Sequence, residues 1–395
     1  MKTLFHGLLL VLSVNTSFGA SFFRAYPLLQ EVVPHVSLCE GLPTPITRLT
    51  DLEKILGMEE PSGRLFIKDD SKTSAHFGGN KPRKLEFLLA RARQKGCNRV
   101  VTQGGVGSNH CCATATHARH LGLACTCVYS PQLNTAYLQR NLLLSAKAGA
   151  VMLPCADRNE RRDQVAAIAS LPGTYLIPPG GSSARGCLGF VNAAFELKEQ
   201  IERGELPCPD EIYITFGSSG SVTGLLFGLK LAGLPCHVTA SCVVPDAEKT
   251  AFSQDIVGLF GKIKKLLRPH LPEVELLEVT VDDVTIDWDH YNEEYARISG
   301  EQADAMRLLK LTSGISVDGT YAGKTFTALC DHVKANPALR TKKILFWNTF
   351  FSGLPTDVSP EIFSALQKNY ATLLPKELYP YFDGSKTISH LDQGF

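Results

Sequence analysis

The sequence predicts an α/β protein of two unequal lobes, in which parallel sheets are flanked by helices. Strand-like and helix-like segments alternate from about residue 77 onward, which is typical of parallel sheets with helical crossovers. The chain has 395 residues, 44% of them hydrophobic, which is enough to bury the cores of two lobes. Three loops rich in glycine, serine and asparagine follow strands and lead into helices, where parallel sheets bind ligands. The formal net charge of +1 gives no overall attraction to nucleic acid or to an anionic membrane.

The first part of the alternation begins with a helix at 82–95, which has proline in its first turn and Gly96 after its end. The segments that follow it alternate between strand and helix, namely the strand NRVVTQ (98–103), the helix HCCATATHARHLG (110–122), the strand ACTCVYS (124–130), the helix YLQRNLLLSAKAGA (137–150), the strand VMLP (151–154), a polar helix near 158–170 and the strand TYLIPP (174–179).

The second part continues with a helix at about 188–203, the strand EIYITF (211–216), the helix SVTGLLFGLKLAG (221–233) and the strand HVTASCVV (237–244). In the next stretch GLFGKIKKLLRPHLP (258–272) is amphipathic, and VELLEVTVDDVTIDW (274–288) has the pattern of extended structure. The pattern then resumes with a helix at 301–314, the loop ISVDGTYAG (315–323), a helix at 324–336 and the strand KKILFWNTF (342–350).

The first 26 residues differ from the rest. Lys2 is followed by an apolar run at 4–14 and then by the small residues of NTSFGA, which is the order of a secretory signal with cleavage after Gly19 or Ala20. The apolar run is too short to span a bilayer. The alternatives are an organelle transit peptide and an N-terminal extension that has no targeting function. The pattern favours a targeting segment, for export or for an organelle, over an extension without that function.

The twelve cysteines point to a different compartment. The sequence contains no CxxC, and no Cys/His group has the spacing of a zinc site. We therefore interpret the cysteines as buried thiols in a reducing environment rather than as a disulfide scaffold, and we expect no metal site.

Two of the three glycine-rich loops carry most of the functional signal. QGGVGSNH (103–110) places Ser108 and Asn109 at the start of a helix, where they either cap it or contact a ligand. FGSSGSVTG (216–224) combines glycines and hydroxyls before a helix, a composition that binds phosphate through backbone amides. It is neither a Walker loop nor GxGxxG. The third loop, PGGSSARG (179–186), has a weaker signal of the same kind.

A lysine at a glycine-rich turn is the remaining part of the pattern. FGGNKPRKLEFLLA (77–90) places Lys81, Arg83 and Lys84 at the start of one helix. A lysine beside separate amide-lined phosphate loops is what pyridoxal phosphate requires, because its amine bonds the cofactor aldehyde. A solvent-exposed Lys81, and a binder of some other phosphate compound, are the alternatives that composition leaves open.

Five segments occur in the order of one known family: GGNKPRKLE, GGVGSNH, PGGSS, GSSGSVTG and DGTYAGK. Over about residues 35–355, and least near 250–290, the chain resembles the D-cysteine desulfhydrase and 1-aminocyclopropane-1-carboxylate (ACC) deaminase family of fold-type II pyridoxal-phosphate enzymes. The resemblance implies a tryptophan synthase β-like fold with the cofactor between two lobes. We expect a small lobe at 83–191, a large lobe at 30–82 and 192–360, and a C-terminal extension at 361–395.

The resemblance also implies site residues. Lys81 matches the Schiff-base lysine, and Lys84 matches a second lysine near the phosphate. Ser108 would lie beside the substrate and move protons, with Asn109 on the cofactor ring oxygen and His110 next to them. The phosphate loop would consist of Ser218, Ser219, Gly220, Ser221, Val222 and Thr223.

Three further positions follow from the same resemblance. Tyr321 matches an active-site tyrosine near the substrate, Tyr295 matches a second one more loosely, and Thr349 matches a threonine near the cofactor. Lys81, Ser108 and Tyr321 are the expected catalytic residues. The expected substrate is a small amino acid bound by a homodimer.

The departures from the family bear on the reaction. ACC deaminases place a glutamate near the pyridine nitrogen, where this chain has Ala322, which leaves the ring a weaker electron acceptor. Asn348, Phe350 and Phe351 also depart from the desulfhydrase sequence HTGG. We expect a pyridoxal-phosphate lyase that converts D-cysteine to pyruvate, ammonia and hydrogen sulfide. The alternatives are an ACC deaminase, a racemase or dehydratase of another small amino acid, and a non-catalytic cofactor-binding protein.

Overall fold

Two sheets organise the part of the chain that this computed structural model describes, residues 21–58, 63–244 and 255–388. Their strands, in chain order, are β1 (Ile46–Arg48), β2 (Leu65–Asp69), β3 (Arg99–Gly105), β4 (Ala124–Ser130), β5 (Val151–Pro154), β6 (Thr174–Leu176), β7 (Glu211–Phe216), β8 (His237–Cys242), β9 (Val284–Asp287) and β10 (Ile344–Asn348).

Helices surround both sheets. In chain order they are α1 (Ser21–Ala25), α2 (Leu28–Val32), α3 (Thr50–Ile55), α4 (Lys81–Gln94), α5 (Asn109–His120), α6 (Ala136–Lys147), α7 (Arg158–Ala169), α8 (Ala184–Glu202), α9 (Gly220–Ala232), α10 (Gly258–Leu267), α11 (Gly300–Ser313), α12 (Ala322–Ala335), α13 (Pro360–Lys368) and α14 (Tyr370–Leu373).

The larger sheet has the strand order β1-β2-β10-β7-β8-β9. Strands β2, β10, β7, β8 and β9 are parallel, and only the edge strand β1 is antiparallel to its neighbour β2. The central strands β2, β10 and β7 are buried along their whole length, as expected of strands covered on both faces. Phe190 on α8 packs against Trp347 on β10, with 5.7 Å between the ring centroids.

The smaller sheet has the order β5-β4-β3-β6, and all its neighbouring strands are parallel. Helix α5 packs against β3 and β4, and buries Cys111 and Cys112 among the apolar residues of that lobe. The predicted α/β class with parallel sheets and flanking helices is therefore confirmed.

Several predicted segments differ in extent from the structure. Helix α8 begins at Ala184 rather than near 188, because the Ser183 hydroxyl caps it and accepts a hydrogen bond from the Gly186 amide at 3.2 Å. Strand β6 ends before Pro178 and Pro179, which have no amide hydrogen to continue the ladder. Within 274–288 only the four residues of β9 form a strand.

The two ends of the described chain pack onto the body of the protein. In α1, Phe22 and Phe23 are buried beside Phe195 and Phe87 respectively. Residues 1–20, with most of the predicted targeting segment, lie outside the described residues. At the other end, buried apolar residues of the C-terminal segment pack against the core of the smaller sheet; they are Phe363, Leu374, Leu378 and Tyr381.

The twelve cysteines are all free thiols, and most are buried, as predicted. Within the described ranges, no helix has both the length and the apolar composition needed to cross a bilayer.

Candidate active site

A cavity of about 550 Å³ opens where the carboxyl ends of strands from both sheets face each other. Its wall includes Gln103 and Ser130 from the smaller sheet and Thr215 from the larger sheet. Loops at the carboxyl ends of parallel strands are where α/β proteins bind ligands, because helix N-termini converge there.

Most of the residues predicted for the site line this cavity. They are Lys81, Lys84, Ser108, Asn109, His110, Ser218, Ser219, Ser221, Tyr295, Tyr321 and Thr349. The other three members of the predicted phosphate loop, Gly220, Val222 and Thr223, lie in the first turn of α9 behind the wall. Val222 is fully buried in the core of the larger sheet, and the Thr223 hydroxyl donates to the Ser219 carbonyl. The side chains of Val222 and Thr223 therefore support the loop rather than face the cavity.

Lys81 is the first residue of α4 and lies half-buried at the cavity wall. Burial and, to a smaller extent, the nearby Lys84 charge lower the pKa of its amine to about 7, although the Asp318 carboxylate opposes the change. At neutral pH a large fraction of this amine is therefore unprotonated, which is the form that attacks a carbonyl carbon.

Lys84 lies one helical turn further on and serves a different part of the site. Its Nζ donates to the Gly180 carbonyl at 3.0 Å and lies 3.5 Å from Ser182 Oγ. Burial lowers the pKa of Lys84 to about 8. Its position attaches the loop at 179–183 to the start of α4.

Two loops meet to form a candidate anion site at the N-terminus of α9. Ser182 Oγ lies 2.9 Å from Ser218 Oγ and accepts a hydrogen bond from the Gly220 amide at 3.1 Å. Ser219 has φ 59°, a left-handed conformation that costs a residue with a side chain about 1 kcal/mol. The turn leads into the first amides of α9, of which that of Gly220 also donates to the Ser218 carbonyl at 2.8 Å.

Gly180 shows how closely the two loops approach. Its φ is 61°, and a Cβ atom placed there would lie 1.9 Å from Ser218 Oγ. Only glycine satisfies both the backbone conformation and the contact.

A second helix N-terminus, that of α5, forms the opposite wall. Ser108 is the N-cap, and its Oγ accepts a hydrogen bond from the Cys111 amide at 3.2 Å, which leaves the hydroxyl hydrogen to donate elsewhere. Asn109 Oδ1 accepts from Asn141 Nδ2 at 2.8 Å, so the remaining amide nitrogen of Asn109 is a donor with a fixed orientation.

His110 lies behind these two residues. Its Nε2 is 2.9 Å from Thr102 Oγ1, while its buried Nδ1 has no hydrogen-bond partner among the described residues. Burial and the charges of Lys81 and Lys84 hold the pKa of His110 well below its usual value, so the ring is neutral. A neutral ring beside two lysines avoids adding a third positive charge.

Tyr295 and Tyr321 face each other across the cavity mouth. Their hydroxyl groups form a hydrogen bond, and the ring centroids are 5.9 Å apart in an edge-on arrangement. Burial raises the pKa of Tyr295 to about 12 and that of Tyr321 well above 10. Both side chains are therefore neutral phenols. Because one hydroxyl donates to the other, one hydroxyl hydrogen of the pair is available to a bound carboxylate.

Several wall residues carry no assignment from the sequence. Asp318 lines the cavity and accepts a hydrogen bond from the Ala322 amide at 3.0 Å. Ala322 itself is fully buried and does not line the cavity; the wall has an exposed acid, Glu294, and a buried acid, Asp318. In the sequence, Asp318 is indicated only as the first residue of DGTY. Ser182 is indicated only by the PGGSS loop, whose signal is weak. The sequence pattern does not identify Arg158 and Arg161, which line the cavity, as site residues, because they belong to a polar surface helix.

The geometry fits pyridoxal phosphate on three counts. A lysine with a lowered pKa lies next to a cavity. An amide-lined anion site with a second lysine lies at a helix N-terminus. Glycine at 180 is required by close packing around that anion site.

Comparisons with known proteins agree with this geometry. A family model described as "Pyridoxal-phosphate dependent enzyme" matches residues 39–349. D-cysteine desulfhydrase of Serratia proteamaculans (strain 568) is 31% identical over 323 residues, which cover 78% of this chain and 91% of that protein.

Solved structures show the same fold. A structure described as an ACC deaminase homologue superimposes with a TM-score of 0.69 and 28% identity, covering 88% of this chain and 99% of the other. A fungal L-serine ammonia-lyase from Rhizomucor miehei superimposes with a TM-score of 0.56 and 19% identity, covering 85% and 99%. The second likeness concerns the fold alone.

Proposed function

Because the chain belongs to the family of pyridoxal-phosphate dependent enzymes, we propose that it is a lyase that acts on D-cysteine. The reaction consumes one water and yields pyruvate, ammonia and hydrogen sulfide. The observation that carries the proposal is that Lys81, Ser108 and Tyr321 line one cavity next to an anion site. The 31% identical D-cysteine desulfhydrase, of which 91% is covered, supports the choice of substrate.

The cofactor would be held at both ends. Lys81 would bond the aldehyde carbon, and the phosphate would lie against the amides of Ser219–Ser221 with Lys84 nearby. The Asn109 amide would donate to the ring oxygen, and Thr349 would contribute a hydroxyl. When bound, the cofactor supplies an electron-accepting ring that stabilises negative charge on the substrate α-carbon.

Proton movement falls to this chain's own residues. The unprotonated Lys81 amine, with its pKa of about 7, can remove a proton from the substrate α-carbon. The Ser108 hydroxyl has its oxygen fixed by the Cys111 amide and its hydrogen available, so it can donate to the departing sulfur atom. The two groups belong to different helix N-termini and face the same cavity.

The neutral phenols of Tyr295 and Tyr321 would orient the substrate. The mutual hydrogen bond of Tyr295 and Tyr321 leaves one hydroxyl hydrogen of the pair, which can donate to the substrate carboxylate without adding a charge. Arg161 at the mouth is held by a 2.7 Å hydrogen bond from Nη1 to Ser130 Oγ and adds positive potential for an anionic amino acid.

ACC deamination is the second candidate, and the TM-score of 0.69 with an ACC deaminase homologue favours it. ACC has no α-proton, so Ser108 and Tyr321 would have to position the ring for opening rather than assist removal of that proton. Asp318 is the buried acid in the cavity wall that could serve in place of the glutamate found in ACC deaminases.

A product assay separates the candidates. Purified enzyme would be incubated separately with D-cysteine, L-cysteine, D-serine and ACC, while sulfide, 2-oxo acids and the chirality of the remaining amino acid are measured. We expect sulfide and pyruvate from D-cysteine, little or no 2-oxobutyrate from ACC, and no product with Lys81→Ala. Turnover of ACC without turnover of D-cysteine would replace the proposal with the second candidate. A change of chirality without sulfide would indicate a racemase, and a visible cofactor band without any product would indicate a binding protein.

A further inference from the structure

A cluster of two histidines and an aspartate lies at the edge of the larger sheet, outside the cavity. Asp287 ends the edge strand β9, His290 lies in the helical turn Asp289–Tyr291, and His332 lies on α12. One potential ligand atom from each residue lies within 4.8 Å of the others. From this geometry we infer that Asp287, His290 and His332 form a binding site for a divalent transition-metal ion, with Zn²⁺ as the best match.

The two histidines direct one ring nitrogen each toward Asp287. His290 Nδ1 lies 2.9 Å from Asp287 Oδ2, and His332 Nε2 lies 4.0 Å from Asp287 Oδ1. The second distance is too long for a hydrogen bond. The pair of Asp287 and His290 therefore does not include the inward nitrogen of the partly exposed His332, whereas an ion shared by the three residues would bind it.

The other ring nitrogen of each histidine has a partner of its own. His290 Nε2 lies 3.3 Å from Asp331 Oδ2, and His332 Nδ1 lies 3.2 Å from the Tyr213 hydroxyl. Metal-binding histidines show this arrangement, because an outer carboxylate or hydroxyl fixes the tautomer and the ring orientation. Each histidine of the cluster thus has one ring nitrogen held from outside and the other directed toward Asp287.

Burial and chemistry select the type of ion. Asp287 is buried, while His290 and His332 are partly exposed, so the cluster is anchored on one side and accessible to solvent on the other. Two imidazole nitrogens and one carboxylate oxygen suit Zn²⁺ and similar ions better than Mg²⁺ or Ca²⁺, which prefer oxygen ligands. Three protein ligands leave a fourth position for water.

The cluster links two elements that lead to the cavity. Tyr295 follows His290 by five residues in the same loop, and Tyr321 caps the N-terminus of the helix that carries His332. The Lys324 amine donates to the Tyr291 carbonyl between them. An ion at the cluster would therefore hold the loop of Tyr295 against α12, which is a structural role separate from the lyase reaction.

The test is a zinc titration of the purified holoenzyme. After treatment with EDTA and dialysis, Zn²⁺ would be titrated against a chromophoric chelator and the bound metal counted by elemental analysis. We expect one Zn²⁺ per chain, and binding weakened at least about 10-fold in His290→Ala and in His332→Ala. His237→Ala is the matched control, since His237 pairs with Glu211 at 2.8 Å outside the cluster and its loss should leave zinc affinity unchanged.

A second measurement does not depend on variants. X-ray absorption at the zinc edge of the wild-type complex should show nitrogen and oxygen ligands at about 2.0–2.2 Å and no sulfur at about 2.3 Å. Absence of stoichiometric zinc, a sulfur shell from the free thiols, or zinc affinity unchanged in both histidine variants would overturn the inference. None of these results depends on which amino acid the enzyme converts.

Discussion

Arg83 holds both carboxylate oxygens of Asp70, with Nε–Oδ2 at 2.9 Å and Nη2–Oδ1 at 2.7 Å, and all of these groups are fully buried. The guanidinium also donates to Glu196 at 2.8 Å. The three cations that begin α4 therefore have three separate roles. Lys81 faces the cavity, Lys84 holds the Gly180 loop, and Arg83 turns away into an ion network that fixes the helix start.

This network predicts a large loss of stability when Arg83 is removed. Arg83→Met leaves Asp70 buried without its ion-pair partner, and the expected cost is about 3–5 kcal/mol of unfolding free energy. Arg24→Met is the matched control, because Arg24 pairs with Glu199 on the surface and its loss should cost about 1 kcal/mol or less. Urea unfolding of both variants measures the difference, and equal costs would show that the buried network contributes little.

The same network predicts how stability depends on pH. Burial raises the pKa of Glu196, but Arg83 and Lys68 outweigh it and hold that pKa well below its usual value. A carboxylate with a lowered pKa in the folded state contributes stability that is complete above its unfolded pKa of about 4.3 and is lost as the pH falls below it. The urea midpoint should therefore decrease between pH 5 and pH 3, and Glu196→Gln should show a shallower decrease. An identical slope in the variant would assign the acid sensitivity to other carboxylates.

Close packing at the anion site predicts the effect of a single methyl group. In Gly180→Ala the new Cβ would overlap Ser218 Oγ, so the loop must shift and cofactor affinity should fall about 10-fold or more. Gly204→Ala is the control, because Gly204 has φ 74° and no atom within 4 Å of its added Cβ. Both variants carry the strain of a positive φ, about 1 kcal/mol, but only Gly180→Ala should lose cofactor on dialysis. Equal cofactor retention would place the phosphate elsewhere.

Ser108 is predicted to act in catalysis beyond its capping role. Ser108→Ala should retain the cofactor and lose about 100-fold or more in rate with D-cysteine, because its hydroxyl no longer moves a proton. Loss of the cap should also cost about 1 kcal/mol of stability. Ser359→Ala removes an equivalent cap, that of α13, far from the cavity, and should cost similar stability with no loss of rate. A rate loss shared by both variants would reduce Ser108 to a structural residue.

Much of the fold and the identity of the cofactor could be predicted, because both are indicated by residues that lie close together in the sequence. The alternation of strands and helices, the glycine-rich loops and the family motifs have short spacings in the chain, and the predicted cofactor and family are confirmed. The start of α8 was missed because its cap, Ser183, lies in a loop whose glycines suggested a longer turn. The homodimer, the lobe boundaries and the role of the N-terminal segment stay predictions.

The rest depends on contacts between distant parts of the chain. Ser182 reaches the phosphate loop only because the two loops meet in space, 36 residues apart in sequence. Asp287 and His332 are likewise brought together by the packing of α12 on the larger sheet, with a spacing that no zinc motif has. Because this spacing is absent from the known zinc motifs, the sequence alone predicts no metal site.

The last prediction concerns which lysine bonds the cofactor and how its reactivity depends on pH. Burial lowers the pKa of Lys81 to about 7, and those of Lys84 and Lys324 to about 8. The amines of Lys84 and Lys324 donate to the carbonyls of Gly180 and Tyr291. Borohydride reduction of the holoenzyme followed by peptide mapping should therefore label Lys81, and Lys81→Ala should lose the visible absorption band. A label on Lys84 or Lys324 would contradict the assignment.

In the cofactor-free enzyme, Lys81 should become reactive toward an amine reagent as the pH rises through about 7, because the amine is protonated below its pKa. The Asp318 carboxylate raises this pKa, so Asp318→Asn should move the midpoint of Lys81 labelling to lower pH. The asparagine keeps an oxygen that can accept from the Ala322 amide, so the turn before α12 should be preserved. An unchanged midpoint in Asp318→Asn would mean that its charge does not reach Lys81. A midpoint near that of a solvent-exposed lysine, about 10.4, would show that the amine is not desolvated at the cavity wall.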